Sequence, residues 1–286
     1  MTQPTVVELN TYPIKSCAKI STETVDLEGT GFLHDRRWMV AFRERAGAPL
    51  EYLSQREEPR LALVQPRFAD YGDTLMLTAP GMPEIRLGVE ERPSDRGEWL
   101  EVLMRSDCYL ALDEGREIAA WLSEYLRLDA RLLRMPGDYV RQVNPVYSPE
   151  PARTAFSDGY PVLLISRADL RSLNERLAEQ GKPAVTMERF RPNLVIEGSA
   201  AFAEDGWKRI RVGEVIFDVV KPCPRCVMTT VEPALGTFSS GLLRGEPLAT
   251  LATFRRTAEG KVMFGQNLVH RGMGTLRLGD AVEILA

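Results

Sequence analysis

The chain has 286 residues, 44% of them hydrophobic and 27% charged, which is enough for a full hydrophobic core and, by length, for about two domains. This balance argues against a disordered or fibrous chain. The formal net charge of −4 argues against a general nucleic-acid binder, because such proteins carry a basic surplus, so any anion site has to be local.

The sequence carries no recognisable targeting or membrane segment. The first ten residues have neither a basic start nor an apolar stretch, so a secretory signal is not expected. The longest apolar runs, such as residues 162–165, are too short to span a bilayer. We therefore expect a cytoplasmic protein that has no membrane partner and binds no nucleic-acid polymer.

The first hundred residues are predicted to form mostly strands. Short hydrophobic runs separated by Gly, Pro and Asp indicate strands at residues 6–9, 20–26, 38–42, 61–65, 75–78 and 85–87. A helix is predicted next, because Ile118, Trp121, Leu122, Tyr125 and Leu126 recur at the spacing of one helical face. We expect this helix to pack on a sheet.

A polar, turn-rich stretch at residues 138–158 separates the two halves of the chain. It holds Pro145, Pro149 and Pro151 among Arg, Asn and Ser residues, which predicts a mobile surface loop. We place the domain boundary at this loop, which divides the chain into residues 1–135 and 136–286.

The second half is predicted to return to strands around two helices. Residues 162–165 indicate a buried strand, and Ser166 with Asp169 three residues later resembles a helix N-cap ahead of an apolar face. Further strands are predicted at residues 194–197, 210–212, 215–220, 227–231, 262–269 and 282–285, and a helix at 247–255. This half suits a barrel-like β domain, so the chain is predicted to be mainly β with α, in the α+β class.

The cysteine and histidine content limits the metal chemistry. The four cysteines are Cys17, Cys108, Cys223 and Cys226, and the two histidines are His34 and His270. Four cysteines are too few for a disulfide-stapled fold of this length, and a close pair indicates metal or redox chemistry. Two histidines exclude a His-rich metal site.

The most specific local signal is the run K-P-C-P-R-C-V-M-T-T-V-E-P at residues 221–233. A thioredoxin-like pair would need its first cysteine at a helix N-terminus, and strands are predicted on both sides. Half of a zinc or iron–sulfur site would need two more soft ligands, and Cys17 and Cys108 lack a matching spacing. Two ordinary half-buried thiols are a further alternative, although prolines break the strand just there.

A single thiolate ligand fits the spacing better than a pair. Residues three apart in a regular strand face opposite sides, so Cys223 and Cys226 could not both address one site without a bulge. A thiol titrates near ~8.5 and needs nearby positive charge or a metal to become the thiolate that binds a soft metal. Lys221 and Arg225 are close to both cysteines in sequence.

The run at 221–233 resembles the cofactor-binding segment of the MOSC family, named after the C-terminal domain of molybdenum cofactor sulfurases. Further segments are similar to this family and to the β-barrel domain that precedes MOSC in amidoxime-reducing proteins: Y-P-I-K-S-C (12–17), D-R-R-W (35–38), S-Q-R-E-E-P-R-L-A-L (54–63), F-S-D-G-Y-P (156–161), F-R-P-N (190–193) and F-G-Q (264–266). The resemblance runs over nearly the whole chain, in order. It implies an N-terminal MOSC-type β-barrel domain and a barrel-like MOSC domain with a few helices.

The resemblance implies a molybdenum cofactor of the molybdopterin type and assigns residues to it. The second cysteine of the motif, Cys226, would ligate molybdenum, and Cys223 would not. The implied cofactor contacts are Lys15 and Ser16 at the pterin phosphate, Arg36 nearby, then Arg191, Asn193, Arg225, Phe264 and Gln266, with Asp158 beside the metal as a catalytic residue. Arg and Lys suit an anionic phosphate, and Asp158 could hold a water or move a proton. Taken alone, each of these residues would more often be structural.

The function implied by the resemblance is a molybdenum-dependent oxidoreductase that reduces N-hydroxylated compounds such as amidoximes, hydroxylamines and N-hydroxylated bases. The sequence shows no G-x-G-x-x-G, haem signature or iron–sulfur cluster motif, so the expected electron donor is a partner protein: a flavoprotein reductase, a ferredoxin-like protein or a cytochrome b5-like protein. The alternatives are a molybdenum cofactor carrier or sulfur-transfer module, and a thiol–disulfide protein. Sulfurases add a pyridoxal-phosphate domain, for which no segment of this sequence fits, and this favours the reductase.

Overall fold

The computed structural model describes residues 3–90, 98–148 and 150–286, so Pro149 of the predicted loop lies outside the described residues. The strands in chain order are β1 (Thr5–Thr11), β2 (Ile14–Lys15), β3 (Ile20–Thr22), β4 (Thr24–Glu28), β5 (Gly31–Phe32), β6 (Trp38–Arg43), β7 (Leu50–Tyr52), β8 (Gln65–Ala69), β9 (Thr74–Thr78), β10 (Ile85–Gly88), β11 (Trp99–Met104), β12 (Asp107–Asp113), β13 (Asp129–Arg134), β14 (Val162–Ser166), β15 (Leu194–Glu197), β16 (Arg209–Val212), β17 (Val215–Pro224), β18 (Val231–Glu232), β19 (Thr237–Phe238), β20 (Met263–Arg271), β21 (Thr275–Arg277) and β22 (Val282–Ile284). The α-helices are α1 (Arg116–Leu126), α2 (Arg167–Glu179) and α3 (Leu248–Phe254). The predicted class, mainly β with α, is confirmed. None of the helices in the described ranges combines the length and the apolar composition that a membrane crossing requires.

Five strands of the N-terminal half close into a barrel. Their order is β13-β12-β11-β7-β6, and β13 pairs again with β6 to complete the ring. Helix α1 buries all five residues of its predicted apolar face, and Trp121 Nε1 donates to the Pro83 carbonyl at 2.7 Å. The α1 face shares a core with Trp38 and Leu132 of the barrel. The predicted helix on a sheet and the N-terminal barrel are therefore confirmed.

The C-terminal half is built on an eight-stranded sheet that also takes in the start of the chain. Its order is β22-β16-β17-β20-β14-β15-β1-β3, so β1 and β3 of the N-terminal half pair into it. Leu164, Phe217 and Leu268 lie in its core. The division at 135/136 stays a prediction, and the sheet shows that the two halves share backbone hydrogen bonds.

The start of α2 is the capping box that the sequence predicts. The Ser166 hydroxyl accepts a hydrogen bond from the Ala168 amide at 3.0 Å, and the Asp169 carboxylate accepts one from the Ser166 amide at 3.4 Å. Both bonds satisfy amides that the first helical turn leaves free. This cap fixes where β14 ends and α2 begins.

Two predicted strands are 3₁₀ helices instead. Residues 61–63 of the predicted strand 61–65 belong to the 3₁₀ helix Pro59–Leu63, in which Pro stands at the first position and the Glu58 side chain caps the Arg60 amide. Residues predicted as strand 227–231 form the 3₁₀ helix Val227–Thr230 followed by β18. The hydroxyls of its two threonines bond back to carbonyls three residues earlier, which competes with strand pairing.

The predicted surface loop at 138–158 is packed into the core near its end. Thr154, Ala155 and Phe156 are buried, and the Phe156 amide donates to the Arg36 carbonyl at 2.9 Å. The surface prediction is therefore wrong for this part of the loop. Its polar composition is misleading because the polar groups are hydrogen-bonded inside the fold, as with the Arg141 guanidinium, which donates to two loop carbonyls.

Candidate functional site

One cavity of about 240 Å³ collects most of the predicted site residues from both halves of the chain. Eight of them line it: Lys15, Ser16, Arg36, Asp158, Arg191, Asn193, Arg225 and Cys226. They are far apart in sequence and come from the ends of β2, β15 and β17 and from the turns ahead of β6 and β14. Strand ends and turns are where a rigid sheet can present side chains to a shared pocket.

The backbone is strained where several of these residues stand. Ser16, Arg36 and Arg191 have left-handed φ angles of 71°, 49° and 57°, and Arg105, which also lines the cavity, has 62°. Non-glycine residues adopt this region infrequently, and such conformations concentrate at functional sites. The strain thus marks the cavity independently of the side-chain chemistry.

The cavity is strongly cationic, although the chain carries a net charge of −4. Its lining holds seven cationic side chains, from Lys15, Arg36, Arg56, Arg105, Arg191, Lys221 and Arg225, and one carboxylate, from Asp158. Clefts lined by one sign of charge raise the local concentration of oppositely charged ligands. An anionic ligand therefore suits this cavity.

The carboxylate is held by cations from the N-terminal half. Lys15 Nζ lies 2.6 Å from Asp158 Oδ1 and donates to the Phe156 carbonyl at 2.8 Å, while Arg105 lies 3.2 Å from the same carboxylate. Burial lowers the pKa of Lys15 to about 8, although Asp158 opposes this effect. Burial favours protonation of Asp158, but the charges of Lys15 and Arg105 outweigh it and hold its pKa well below the usual range. Asp158 is therefore ionised at neutral pH.

A second cluster positions Arg36. Its Nη1 donates to Asp35 Oδ2 at 2.5 Å and to Asn193 Oδ1 at 2.9 Å. Asn193 also accepts from the Leu163 amide, and its Nδ2 donates to the Asn10 carbonyl at 3.1 Å and to Asp35 at 3.0 Å. Both hydrogens of the Asn193 amide group and both lone pairs of its oxygen are engaged. Asn193 thus orients Arg36 and has no polar atom left for a ligand.

Several cavity arginines have buried donors without a hydrogen-bond partner in the described part of the chain. Arg191 is 8% exposed; its Nη1 donates to the Cys17 carbonyl at 2.7 Å, but its Nη2 has no hydrogen-bond partner among the described residues. The same holds, within the described ranges, for Nε of Arg225 and of Arg56. A buried donor without a partner is costly and calls for an unseen partner such as a bound anion. These three side chains line one cavity and fit a phosphate-bearing ligand.

The two cysteines of the close pair differ in environment. The Cys223 side chain is half-buried, and its sulfur accepts from Arg225 Nη1 at 3.0 Å. Cys226 is exposed in the cavity and lies at the N-cap of Val227–Thr230, beyond the last residue of β17. Burial lowers the pKa of Arg56, but Tyr52, Cys226 and Asp158 beside it outweigh this and raise it. Cys226 is thus the accessible thiol, with an arginine next to it.

Two predicted cofactor residues lie outside the cavity lining. Phe264 is fully buried, with its ring centroid 4.4 Å from that of Phe190, and Gln266 is buried and donates to Asp205 Oδ1 at 2.8 Å. Strand alternation puts Asn267 on the opposite face of β20, where it lines the cavity. The positions of Phe264 and Gln266 therefore do not support direct cofactor contacts.

Sequence reasoning missed several lining residues. Tyr52 and Arg105 belong to no motif that points to a site, and only the fold brings them to the cavity. Tyr160 lies inside the F-S-D-G-Y-P run, two residues after Asp158, and also lines the cavity. Arg56 lies inside the S-Q-R-E-E-P-R-L-A-L run, which was available as a signal. Arg56 can be assigned to the site only once the cavity is known, because the second half of that run forms the 3₁₀ helix Pro59–Leu63 and has a structural role.

Comparison with known proteins places this chain in a family. The MOSC domain matches residues 151–283, and the MOSC N-terminal beta barrel domain matches residues 3–129. The chain is 35% identical to mitochondrial amidoxime reducing component 2 of Rattus norvegicus, over 97% of this chain and 82% of that protein. It is 32% identical to mitochondrial amidoxime-reducing component 1 of Homo sapiens, over 98% and 83%. The chain belongs to the MOSC-domain family, in the form that carries an N-terminal MOSC β-barrel domain.

A further relative combines this region with additional sequence. The chain is 31% identical to molybdenum cofactor sulfurase of Danio rerio over 93% of its own length, but it spans only 32% of that protein. The match to the sulfurase therefore concerns about a third of that protein.

Proposed function

We propose that the protein is a molybdenum-cofactor-dependent reductase of N-hydroxylated compounds. The observation that carries the proposal is the exposed Cys226 thiol in a cavity with seven cationic side chains. A soft metal needs a thiolate, and a phosphate-bearing pterin needs cations, so one cavity supplies both requirements. The relatives named amidoxime-reducing components support the choice of substrate class.

The residues of the cavity fit the cofactor. Cys226 would supply the metal ligand, and the unused donors of Arg191, Arg225 and Arg56 would bind its anionic groups. Lys15 and Ser16 line the same cavity, and Arg36 is held in place by its hydrogen bond to Asn193. The cofactor, when bound, supplies two-electron transfer at molybdenum.

The chain itself would handle protons and orientation. Reduction of an N–OH group to N–H releases its oxygen as water and consumes two electrons and two protons. Lys15, with a pKa of about 8, can give up a proton from Nζ near neutral pH, whereas the ionised Asp158 can orient a water by accepting its hydrogen bond. Their 2.6 Å contact keeps the ammonium and the carboxylate side by side at the cavity.

Electrons would come from a partner protein, either a flavoprotein reductase or a ferredoxin-like or cytochrome b5-like carrier. The proposed location of the protein is the cytoplasm. The test uses protein purified from a molybdenum-competent host and a simple aryl amidoxime as substrate. We expect a reduced viologen dye to support turnover and NADPH alone to support none. Adding a flavoprotein reductase, with or without a carrier, should restore turnover. Robust turnover with NADPH alone would show that the partner proposal is wrong.

A carrier or sulfur-transfer role is the second candidate, favoured by the match to the sulfurase of Danio rerio. It uses the same cavity to hold the cofactor and assigns no chemistry to Lys15 and Asp158. Molybdenum-loaded protein that fails to reduce any N-hydroxylated substrate with the dye, yet transfers cofactor to a second apoenzyme, would select this role over the reductase.

A further inference from the structure

A buried arginine outside the cavity ties together two segments that line it. The 3₁₀ helix Met187–Phe190 leads into Arg191, and the segment 225–232 carries Cys226. Arg189, in that helix, is 3% exposed and is not among the cavity-lining residues. It nevertheless reaches across to the cysteine segment.

The Arg189 guanidinium binds four groups around the cysteine segment. Its Nη1 donates to the carbonyls of Val231 at 3.2 Å and Thr229 at 3.5 Å and to Ser239 Oγ at 2.7 Å. Its Nη2 forms a close ion pair with the Glu232 carboxylate. A planar guanidinium can serve this set at once, whereas a lysine ammonium could not match its fork geometry.

One of the groups that Arg189 binds is itself hydrogen-bonded to Cys226. Thr229, whose carbonyl Arg189 binds, donates back to the Cys226 carbonyl through its amide at 3.1 Å and its hydroxyl at 3.0 Å. In the opposite direction, Arg225 Nη2 donates to the Phe190 carbonyl at 2.6 Å. Cys226 thus lies in a segment tied on both sides to one 3₁₀ helix.

We infer that Arg189, paired with Glu232, is a positioning residue that sets the Cys226 segment for metal ligation. The inference rests on the proposed role of Cys226 as the molybdenum ligand. A metal that is held by a single protein thiolate depends on the backbone that orients this thiolate. Residues that contact and orient metal ligands commonly control metal affinity. An ordinary structural ion pair would instead affect folding alone.

The test compares Arg189→Lys with Arg134→Lys. Arg134 is a matched control, because it is 2% exposed and binds Glu114 and three backbone carbonyls in the N-terminal half, away from the cavity lining. Each variant is purified from a molybdenum-competent host. Molybdenum per folded protein, the thermal unfolding midpoint and the number of sulfur ligands seen by molybdenum X-ray absorption are measured.

We expect both variants to unfold at lower temperature, but only Arg189→Lys to lose metal. Its molybdenum affinity should fall about tenfold or more, and the remaining metal should show fewer sulfur ligands on average. Glu232→Gln and Ser239→Ala each remove one Arg189 contact and should give smaller losses in the same direction. These two variants carry the test if Arg189→Lys does not fold.

Wild-type molybdenum content and sulfur coordination in the folded variants of Arg189, Glu232 and Ser239 would overturn the inference. An equal loss of metal in Arg134→Lys would do so as well, because it would show a general effect of stability. Failure of the proposed ligand is separate: it shows as a Cys226→Ser protein that keeps its molybdenum, whatever the Arg189 variants do.

Discussion

The N-terminal barrel and the cavity each contain a buried arginine, and the two differ in how many of their hydrogen-bond donors are used. In the barrel, Arg134 is 2% exposed and uses its guanidinium on Glu114 and on the carbonyls of Gly88, Val89 and Glu90. In the cavity, Arg191 is 8% exposed, binds one carbonyl and leaves Nη2 without a partner among the described residues. The contacts of Arg134 therefore stabilise the fold, whereas Arg191 has a donor that could bind a ligand.

The largest expected effect is on the free energy of unfolding, which should fall much more when Arg134 is replaced than when Arg191 is replaced. Arg134→Met removes the cation that faces buried Glu114 and should lower the free energy of unfolding of cofactor-free protein by about 3–5 kcal/mol. Arg191→Met loses one hydrogen bond and the stacking of its guanidinium on Tyr12, but it also removes an unpaired donor, so a loss of about 1 kcal/mol at most is expected. Urea unfolding of both variants measures the difference. Equal losses would remove the distinction between the two regions.

Cofactor retention, in contrast to stability, should depend on the cations of the cavity. Arg191→Ala or Lys15→Ala removes a charged contact worth about 1.5–3 kcal/mol, so cofactor retention should weaken by about 10- to 100-fold. Arg171→Ala, which removes an exposed arginine paired with Glu197, is the control and should retain the cofactor. Pterin content after dialysis provides the measurement. Unaltered pterin content in both cavity variants would count against the assigned phosphate contacts.

The smallest effect concerns pH and Lys15. Burial lowers the pKa of Lys15 to about 8, below its value of 10.5 in an unfolded chain. Between these pH values the unfolded chain binds the extra proton, so the Lys15 contribution to the free energy of unfolding rises with pH, by on the order of 1 kcal/mol per pH unit. The difference between wild-type and Lys15→Met protein, without cofactor, isolates this term from those of Cys17 and Tyr12, whose pKa values burial raises in the folded protein of both variants. A difference that stays flat from pH 8 to 10 would contradict the lowered pKa.

The sequence predicted the fold class from local patterns, and the family resemblance supplied eight of the residues that line the cavity. The α1 face and the Ser166 capping box follow from residue spacing alone. All ten site residues lie in motifs that the family resemblance covers, and the structure brings eight of them into one cavity. The resemblance could identify these residues without showing how they meet.

The sequence is least informative where tertiary contacts decide the outcome. The β-branched run 227–231 reads as a strand, but the hydroxyls of Thr229 and Thr230 bond to local carbonyls and favour a 3₁₀ turn. Phe264 and Gln266 belong to a family motif, yet strand parity turns them away from the cavity. No local signal marks Arg105, since only the hairpin between β11 and β12 carries it to Asp158.

The most direct test of the account compares the two neighbouring cysteines. Cys226→Ser and Cys223→Ser proteins are purified in parallel from a molybdenum-competent host, and molybdenum content and dye-driven amidoxime reduction are measured for each. The exposed Cys226 is the proposed single ligand, whereas the Cys223 sulfur is bound by Arg225. We predict that Cys226→Ser loses both molybdenum and activity, while Cys223→Ser keeps much of both. Equal dependence on the two cysteines, or full molybdenum content in Cys226→Ser, would contradict the single-thiolate account.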